Sequence, residues 1–355
     1  MVHRPDSCAP AARPRRPLHC YFMTRADQPS FPRSHLVGYV ALCLIWGSTW
    51  LAIRIAVQDI PPLEAAAIRF FAAAALLTAL AAAQRKRWPR DPGQWIALLV
   101  LSVTMIAIPY GLLFWAEQYV TSSMTAVLYS AMPLAVALFT PMMTHRTVPR
   151  RAVFAMVVAF GGLLTVFIDG LSYSGRAMMG GAAVLLAMLM SSWSAIYAKA
   201  RLHDVDSVVA TALQLLFGGV MLAWATWALE AHRHAVWTHP ALWAMVFLTL
   251  FGSCAAFVIY YWLLKKMQPY QLSTISLIVP VIAVLEGALI RQEPVPLLVA
   301  LAIIVILGAV GAVLLARNQN EQPKDASGRV LISQEEAAAS QEPAVQRPAV
   351  QRNSE

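Results

Sequence analysis

Two ionisable residues stand inside long apolar stretches of the chain, where a charged side chain is costly unless it meets a cavity or a partner. These residues are Arg69 and Glu286. The carboxylate could bind a cationic group or take up a proton, and the guanidinium could hold an anionic group. Structural interpretations stay open for both, because Glu286 could pair with Arg291, and Arg69 with Glu64 or a backbone carbonyl.

Two prolines occupy equivalent places in different apolar stretches. Pro133 and Pro280 lie 147 residues apart. Proline removes one helical hydrogen bond and frees a carbonyl, so each is expected to interrupt its helix. Matched interruptions in two halves of a chain indicate a binding site or a hinge in transporters. Both prolines are therefore predicted hinges, and a static kink is the alternative.

Aromatic side chains provide the other candidate binding groups. Their flat faces can stack on a ligand and attract cations. Trp46 and Trp193 lie near the middle of their stretches, too deep for the aromatic belt at a membrane surface. Ordinary helix packing is the alternative for each. The aromatic binding candidates are Trp46, Tyr110, Tyr129, Trp193 and Tyr197.

Metal ligands are sparse. His232, His234 and His239 share one polar segment, but no cysteine or carboxylate cluster completes a coordination shell around them. The four cysteines are scattered without the spacing of a metal site or a disulfide framework. We expect no metal and no cofactor.

Composition places these residues in a membrane. Of the 355 residues, 59% are hydrophobic and only 13% are charged, whereas a soluble domain carries roughly 25% charged residues. The mean hydropathy is +0.60. The net charge of +9 lies mostly in short loops between apolar runs, where it orients membrane spans rather than binding nucleic acid. The lipid bilayer is thus an expected partner, and nucleic acid is not.

Ten apolar stretches are each near the roughly 20 residues that cross a bilayer core. Because hydrocarbon offers no hydrogen-bond partners, the stretches are predicted to be helices, which makes this an all-α membrane protein. Residues 1–35 and 317–355 are predicted to be disordered, and Met23 is a candidate translation start. The predicted spans are 36–57, 62–83, 95–116, 121–143, 151–168, 177–199, 207–229, 240–263, 270–291 and 295–316.

The chain repeats itself with an offset of 147 residues and no gap. Each half, 36–168 and 177–316, holds five of the predicted spans. An odd number of crossings would place the second copy upside down relative to the first. Inverted repeats of this kind build secondary transporters around one site. The coinciding landmarks are Trp46 and Trp193, Arg54 and Arg201, Trp115 and Trp262, Pro133 and Pro280, Val148-Pro149 and Val295-Pro296, and Gly161 and Gly308.

The charges of the loops predict how the chain is oriented in the membrane. If the N-terminus is inside, the inner loops carry eleven Lys and Arg residues and the outer loops three. This positive-inside bias predicts that both termini are cytoplasmic. The inner cations are Arg85, Lys86, Arg87, Arg90, Arg146, Arg150, Arg151, Lys199, Arg201, Lys265 and Lys266, and the outer ones are Arg176, Arg233 and Arg291.

Several strings resemble a known family. They are LIWGSTWLAIRIA, PPLEAAAIRFFAAAALL, LLFWAEQYVTSSMTAVLYSAMPLAVALF and YYWLLKKMQPYQLSTISLIVPVIAVLEGALIRQEPV. Over residues 36–316 the chain resembles EamA-type carriers of the drug/metabolite transporter superfamily. The matching features are Trp46-Gly47-Ser48, Pro62, Arg69, Pro133, Pro280 and Glu293. The resemblance implies ten helices, an inner-membrane location, a cavity between the repeats, and export or exchange of small metabolites or drugs. Arg54 and Glu286 depart from the usual pattern.

The sequence therefore predicts an inner-membrane secondary transporter that works by alternating access. Its expected substrate is a small organic metabolite such as an amino acid, and protons are a candidate coupling ion. A multidrug or cationic-compound exporter is the alternative within transport. A membrane-embedded enzyme is the alternative of another class, but it would need a nucleophile–base or metal set that the apolar stretches lack. We expect no enzymatic activity.

Overall fold

The computed structural model describes residues 32–144, 146–167, 175–290 and 297–316. Every regular element within these ranges is helical, which agrees with the prediction of an all-α protein. The segments are α1 (Arg33–Asp59), α2 (Pro62–Ala83), α3 (Pro92–Ala116), α4 (Ser122–Tyr129), α5 (Met132–Thr144), α6 (Arg150–Phe167), α7 (Gly175–Arg201), α8 (Ser207–Leu229), α9 (His239–Lys266), α10 (Pro269–Leu272), α11 (Ile275–Ile290) and α12 (Leu297–Leu315).

Local sequence signals set several helix starts. Pro62 and Pro92 are the first residues of α2 and α3, where a missing N–H costs nothing. Asp206 caps α8 by accepting the N–H of Val208 over 2.9 Å, and Thr238 caps α9 in the same way. These caps end the loops that the sequence predicted between the apolar stretches.

Among the described residues, seven helical stretches are long and apolar enough to cross a membrane. Their outward surfaces carry large apolar side chains, for example Trp224, Trp227 and Trp243, which are mostly exposed in the isolated chain. An exposed apolar surface of this extent fits a lipid environment. The chain is therefore a multi-pass membrane protein.

Helix boundaries recur with the offset seen in the sequence. The starts of α9, α10 and α12 lie 147 residues after those of α3, α4 and α6. In addition, α3 and α9 each contain a wider π-helical turn, at Ser102–Ala107 and Leu250–Ala255. Such turns often mark functional sites inside otherwise regular helices.

The helices that carry the two predicted hinges are not interrupted in the same way. Ser130 and Ala131 separate α4 from α5, and Pro133 is then the second residue of α5. Pro280 instead lies inside α11, which runs on past it to Ile290. A proline near a helix start removes no helical bond, whereas Pro280 does.

Helices α2 and α8 pack along each other in opposite directions, and polar groups join them at both ends. At one end, Lys86 Nζ lies 3.0 Å from Asp206 Oδ2. At the other end, Glu230 Oε2 accepts the N–H groups of Leu63 over 3.0 Å and Glu64 over 3.2 Å. These N–H groups have no helical acceptor, so the carboxylate satisfies the first turn of α2.

Candidate functional site

A cavity with about 810 Å³ of space not occupied by atoms lies in the middle of the helical bundle. We call it the central cavity. Its walls come from α1, α3, α4, α5, α7, α9, α10 and α11. The lining residues are Trp46, Thr49, Trp50, Ile53, Met105, Tyr110, Leu113, Ala126, Tyr129, Met132, Ser191, Phe257, Tyr260, Leu272, Ser273, Ile275, Ser276 and Val279.

Interrupted helices form one part of this wall. Met132 follows the break between α4 and α5, and Ser273 lies in the break between α10 and α11. At both breaks, bonds to the third residue back replace the regular helical pattern: the Ala131 N–H donates to the Leu128 carbonyl over 3.4 Å, and the Thr274 N–H donates to the Gln271 carbonyl over 3.3 Å. Within a bilayer, irregular backbone of this kind occurs where it lines a cavity or is buried in protein.

Six aromatic side chains surround the cavity in edge-on and tilted contacts. The ring centroid of Trp46 lies 5.5 Å from that of Tyr260 and 6.0 Å from that of Phe257. The rings of Trp50 and Tyr129 are 5.8 Å apart. Since these contacts leave ring faces available, the wall can stack on a flat or cationic group.

Two polar atoms of the wall lack a hydrogen-bond partner among the described residues. They are the indole N–H of Trp46 and the hydroxyl of Tyr260, both buried. Buried polar atoms in folded proteins nearly always have partners, and exceptions often belong to functional sites. Polar groups of a bound ligand are the natural partners for these atoms.

Arg69 lies behind this wall rather than in it. The side chain is 1% exposed, and its Nε–H donates to Ser253 Oγ over 2.7 Å. Its Nη2 donates to the carbonyl of Gly252 over 2.9 Å. The guanidinium carbon is 5.3 Å from the ring centroid of Tyr110, which lines the cavity. Arg69 therefore lies next to the cavity wall, on the far side of the Tyr110 ring.

Some of the aromatic candidates line the central cavity and others do not. Trp46, Tyr110 and Tyr129 line the central cavity. Trp193 and Tyr197 are not among the lining residues; their rings stack on each other, with centroids 4.9 Å apart and planes 13° apart. The repeat-equivalent tryptophans therefore have different surroundings.

The side chain of Glu286 lies outside the described part of the structure. Its backbone belongs to α11, seven residues after the cavity-lining Val279. Seven residues make two helical turns, so the two positions share a face of α11 about 10 Å apart. The candidate role of Glu286 stays a prediction.

Sequence reasoning missed several wall residues. Trp50 follows Trp46 by one helical turn, a spacing that could have indicated a shared face. Thr49, Ser191, Ser273 and Ser276 also line the cavity. Short hydroxyl side chains are common in membrane helices, so composition alone does not single them out.

Formal charge is absent from the described wall of the cavity. Within the described residues, His, Cys, Asp and Glu also form no group of three that could hold a metal ion. The wall instead offers aromatic faces, hydroxyls and thioethers. These groups can bind an organic solute reversibly.

Comparison with known proteins agrees with this architecture. A solved crystal structure superimposes with a TM-score of 0.68 and 18% identity, covering 81% of this chain and 99% of the other. Transporter YoaV of Bacillus subtilis is 28% identical over 76% of this chain and 93% of its own. The inner membrane transporter YedA of Escherichia coli K12 is 29% identical over 78% of this chain and 89% of its own. Both relatives are named as uncharacterized.

A multi-pass helical bundle around an uncharged, aromatic cavity is the architecture of a membrane transporter. The model of the EamA-like transporter family matches residues 34–168 and again residues 178–315. The chain belongs to the EamA-like transporter family.

Proposed function

We propose that the protein is a secondary transporter that exports or exchanges a small organic metabolite, such as an amino acid, by alternating access. One observation carries the proposal: the walls of the central cavity come from both segments that the family model matches. A site shared by two repeats can face either side of a membrane as they rock against each other.

The proposed architecture is ten transmembrane helices arranged as two inverted five-helix repeats, 36–168 and 177–316. The recurrence of helix starts and of π-helical turns supports it. The excess of inner-loop cations supports a bacterial inner-membrane location with both termini cytoplasmic, and the name of the relative YedA agrees with that membrane.

The chemistry of the wall fits an amino acid or a related zwitterion. An ammonium group is attracted to aromatic faces such as those of Trp46 and Tyr129. A carboxylate can accept from the unpartnered N–H of Trp46 and hydroxyl of Tyr260. The buried charge of Arg69 behind Tyr110 adds a positive field, which favours a substrate that carries a carboxylate.

A multidrug or cationic-compound exporter is the second candidate. The cavity is lined by six aromatic residues and by no described Lys or Arg, a combination that favours a cationic substrate. A carboxylate of Glu286 within reach of the cavity would favour it further. No enzymatic activity is proposed, because the relatives YoaV and YedA are named as transporters.

Metabolite profiling tests the proposal. Culture medium from cells that overexpress the protein should be enriched in the exported solute, relative to medium from cells that lack it. Substitution Trp46→Ala should abolish the difference, because it removes a ring and a donor from the wall. Trp224→Ala is the matched control, since Trp224 is 68% exposed on the outer surface of α8. Identical profiles with and without the wild-type protein would contradict export.

A further inference from the structure

A second, smaller cavity, with about 250 Å³ of space not occupied by atoms, lies beside the ends of α7 and α9 and the start of α8 and opens to solvent. We call it the small cavity. Among its lining residues are Lys199, Ala210, Tyr261 and Lys265. Since the two lysines belong to the predicted inner-loop cations, the small cavity lies on the side that we propose to be cytoplasmic.

Three side chains connect the lining of the small cavity to that of the central cavity. The hydroxyl of Tyr261 donates to Gln214 Oε1 over 2.6 Å and lies 3.2 Å from Met105 Sδ. Tyr261 lines the small cavity, whereas Met105 lines the central cavity. Gln214 and Tyr261 are 1% and 3% exposed, so this contact is a buried link between residues that line the two cavities.

We propose that Tyr261, Gln214 and Met105 form the inner gate of the transporter. The gate opens when the Tyr261 hydroxyl leaves Gln214, which joins the central cavity to the small cavity and to the cytoplasm. The proposal rests on the proposed transport function. It assigns control of access to Tyr261 and Gln214, which do not line the central cavity, whereas Met105 belongs to the wall of that cavity.

The bonding of Gln214 fits a contact that must break repeatedly. Its Nε2 has no partner among the described residues, so the hydrogen bond from Tyr261 holds the amide by one atom. A single neutral hydrogen bond contributes little net stability. A gate of this kind closes the passage without trapping the transporter in one state.

The repeat supports the assignment. Met105 and Tyr261 correspond, by the offset of 147, to Gly252 and Phe114. Those two equivalents are also joined through one side chain: Arg69 donates to the Gly252 carbonyl, and its guanidinium carbon lies 5.9 Å from the Phe114 ring. In an inverted repeat, equivalent positions lie towards opposite faces of the membrane, so this second contact would lie towards the outer side. Its joining residue differs, because the offset relates Gln214 to Ala67 rather than to Arg69.

Thiol accessibility tests the inner gate without knowledge of the substrate. A cysteine-free full-length protein receives one reporter, Ala126→Cys, in the wall of the central cavity. A membrane-impermeant thiol reagent is then applied to inside-out vesicles and to right-side-out vesicles. Substitutions Tyr261→Phe and Gln214→Ala should each raise the labelling rate from the inner face about five-fold, the change that follows from losing one hydrogen bond.

Tyr270→Phe is the matched control. Tyr270 is also buried, but its hydroxyl donates to the Ala316 carbonyl and it lines neither cavity. The conservative Tyr261→Phe change keeps the ring, so a folded variant is expected, and size-exclusion elution checks it. Unchanged inner-face labelling in both gate variants, or an increase from the outer face alone, would overturn the gate. Solute export with unchanged labelling would leave the proposed function standing and remove only the gate.

Discussion

The Nε–H of Arg69 donates to the hydroxyl of Ser253 over 2.7 Å, and this bond joins α2 to the π-helical turn of α9 in the apolar interior. Since a wider turn leaves backbone carbonyls without their usual helical donors, Arg69 also donates to the Gly252 carbonyl there. A buried cation thereby stabilises a local irregularity beside the central cavity.

Removing the hydroxyl of Ser253 should lower the free energy of unfolding. Ser253→Ala leaves a buried charged donor unsatisfied, and we expect the free energy of unfolding to fall by about 1.5–3 kcal/mol. In the Arg69→Met variant, Ser253→Ala should lower the free energy of unfolding much less, because the guanidinium donor is already absent. Thermal unfolding of the four proteins in detergent gives this double-mutant cycle. Additive effects of the two substitutions would contradict a direct coupling.

Gly218 is expected to tolerate no side chain. A Cβ there would lie 2.8 Å from Ile106 Cβ, in the π-helical turn of α3. Overpacking of this kind costs about 1–3 kcal/mol, so Gly218→Ala should lower the unfolding temperature. Gly161→Ala is the control, because a Cβ there meets nothing within 4 Å among the described residues. Equal unfolding temperatures for the two variants would show that α3 and α8 can separate freely.

Glu230 should make stability depend on pH. Burial raises its pKa above the ordinary value of 4.5, although the bonds from Leu63 and Glu64 oppose the shift. A raised pKa means that the folded state binds the proton more tightly. The contribution to stability is therefore complete below about pH 4.5 and is lost as the pH rises through the higher pKa of the folded state.

Glu230→Gln resembles the protonated carboxyl and does not titrate. Unfolding temperatures measured from acidic to neutral pH should therefore fall less with rising pH in this variant than in the wild type. Asp204→Asn is a useful control, because Asp204 is an exposed loop carboxylate paired with His203. Parallel pH curves for wild type and Glu230→Gln would contradict the raised pKa.

Substituting alanine for each of the two predicted hinge prolines should slow transport to different extents. Pro280→Ala restores a hydrogen bond inside α11, so it should stiffen the helix and slow transport more than it changes substrate affinity. Pro133→Ala should have a smaller effect, because position 133 is the second residue of α5. Maximal rate and half-saturating concentration, measured for each variant, separate the two effects. A loss of affinity at an unchanged maximal rate would rule out a hinge at Pro280.

Glu286 is the proposed proton carrier if transport is coupled to protons. Glu286→Gln preserves shape and removes titration, so it should abolish the pH dependence of net transport. Counterflow exchange in proteoliposomes needs no net proton movement and should survive. Accumulation driven by a pH gradient in the Gln variant would show that Glu286 is structural.

Much of the architecture follows from the sequence because a bilayer leaves few choices. Apolar stretches must satisfy their own backbone hydrogen bonds, so their helical state is decided before any packing. Of the five aromatic binding candidates, Trp46, Tyr110 and Tyr129 line the central cavity, whereas Trp193 and Tyr197 do not.

Tertiary contacts decided which of the repeat-equivalent residues line the cavity and which residues pair with each other. Trp46 and Trp193 are equivalent in sequence, but only Trp46 lines the central cavity. Glu64 was a sequence-based candidate partner for Arg69, yet five residues along a helix turn a side chain to a different face. The partners that Arg69 has, Gly252 and Ser253, are more than 180 residues away along the chain. Sequence determined which segments are apolar helices. The packing of distant helices determined which side chains meet, since helix faces find their neighbours only in the folded bundle.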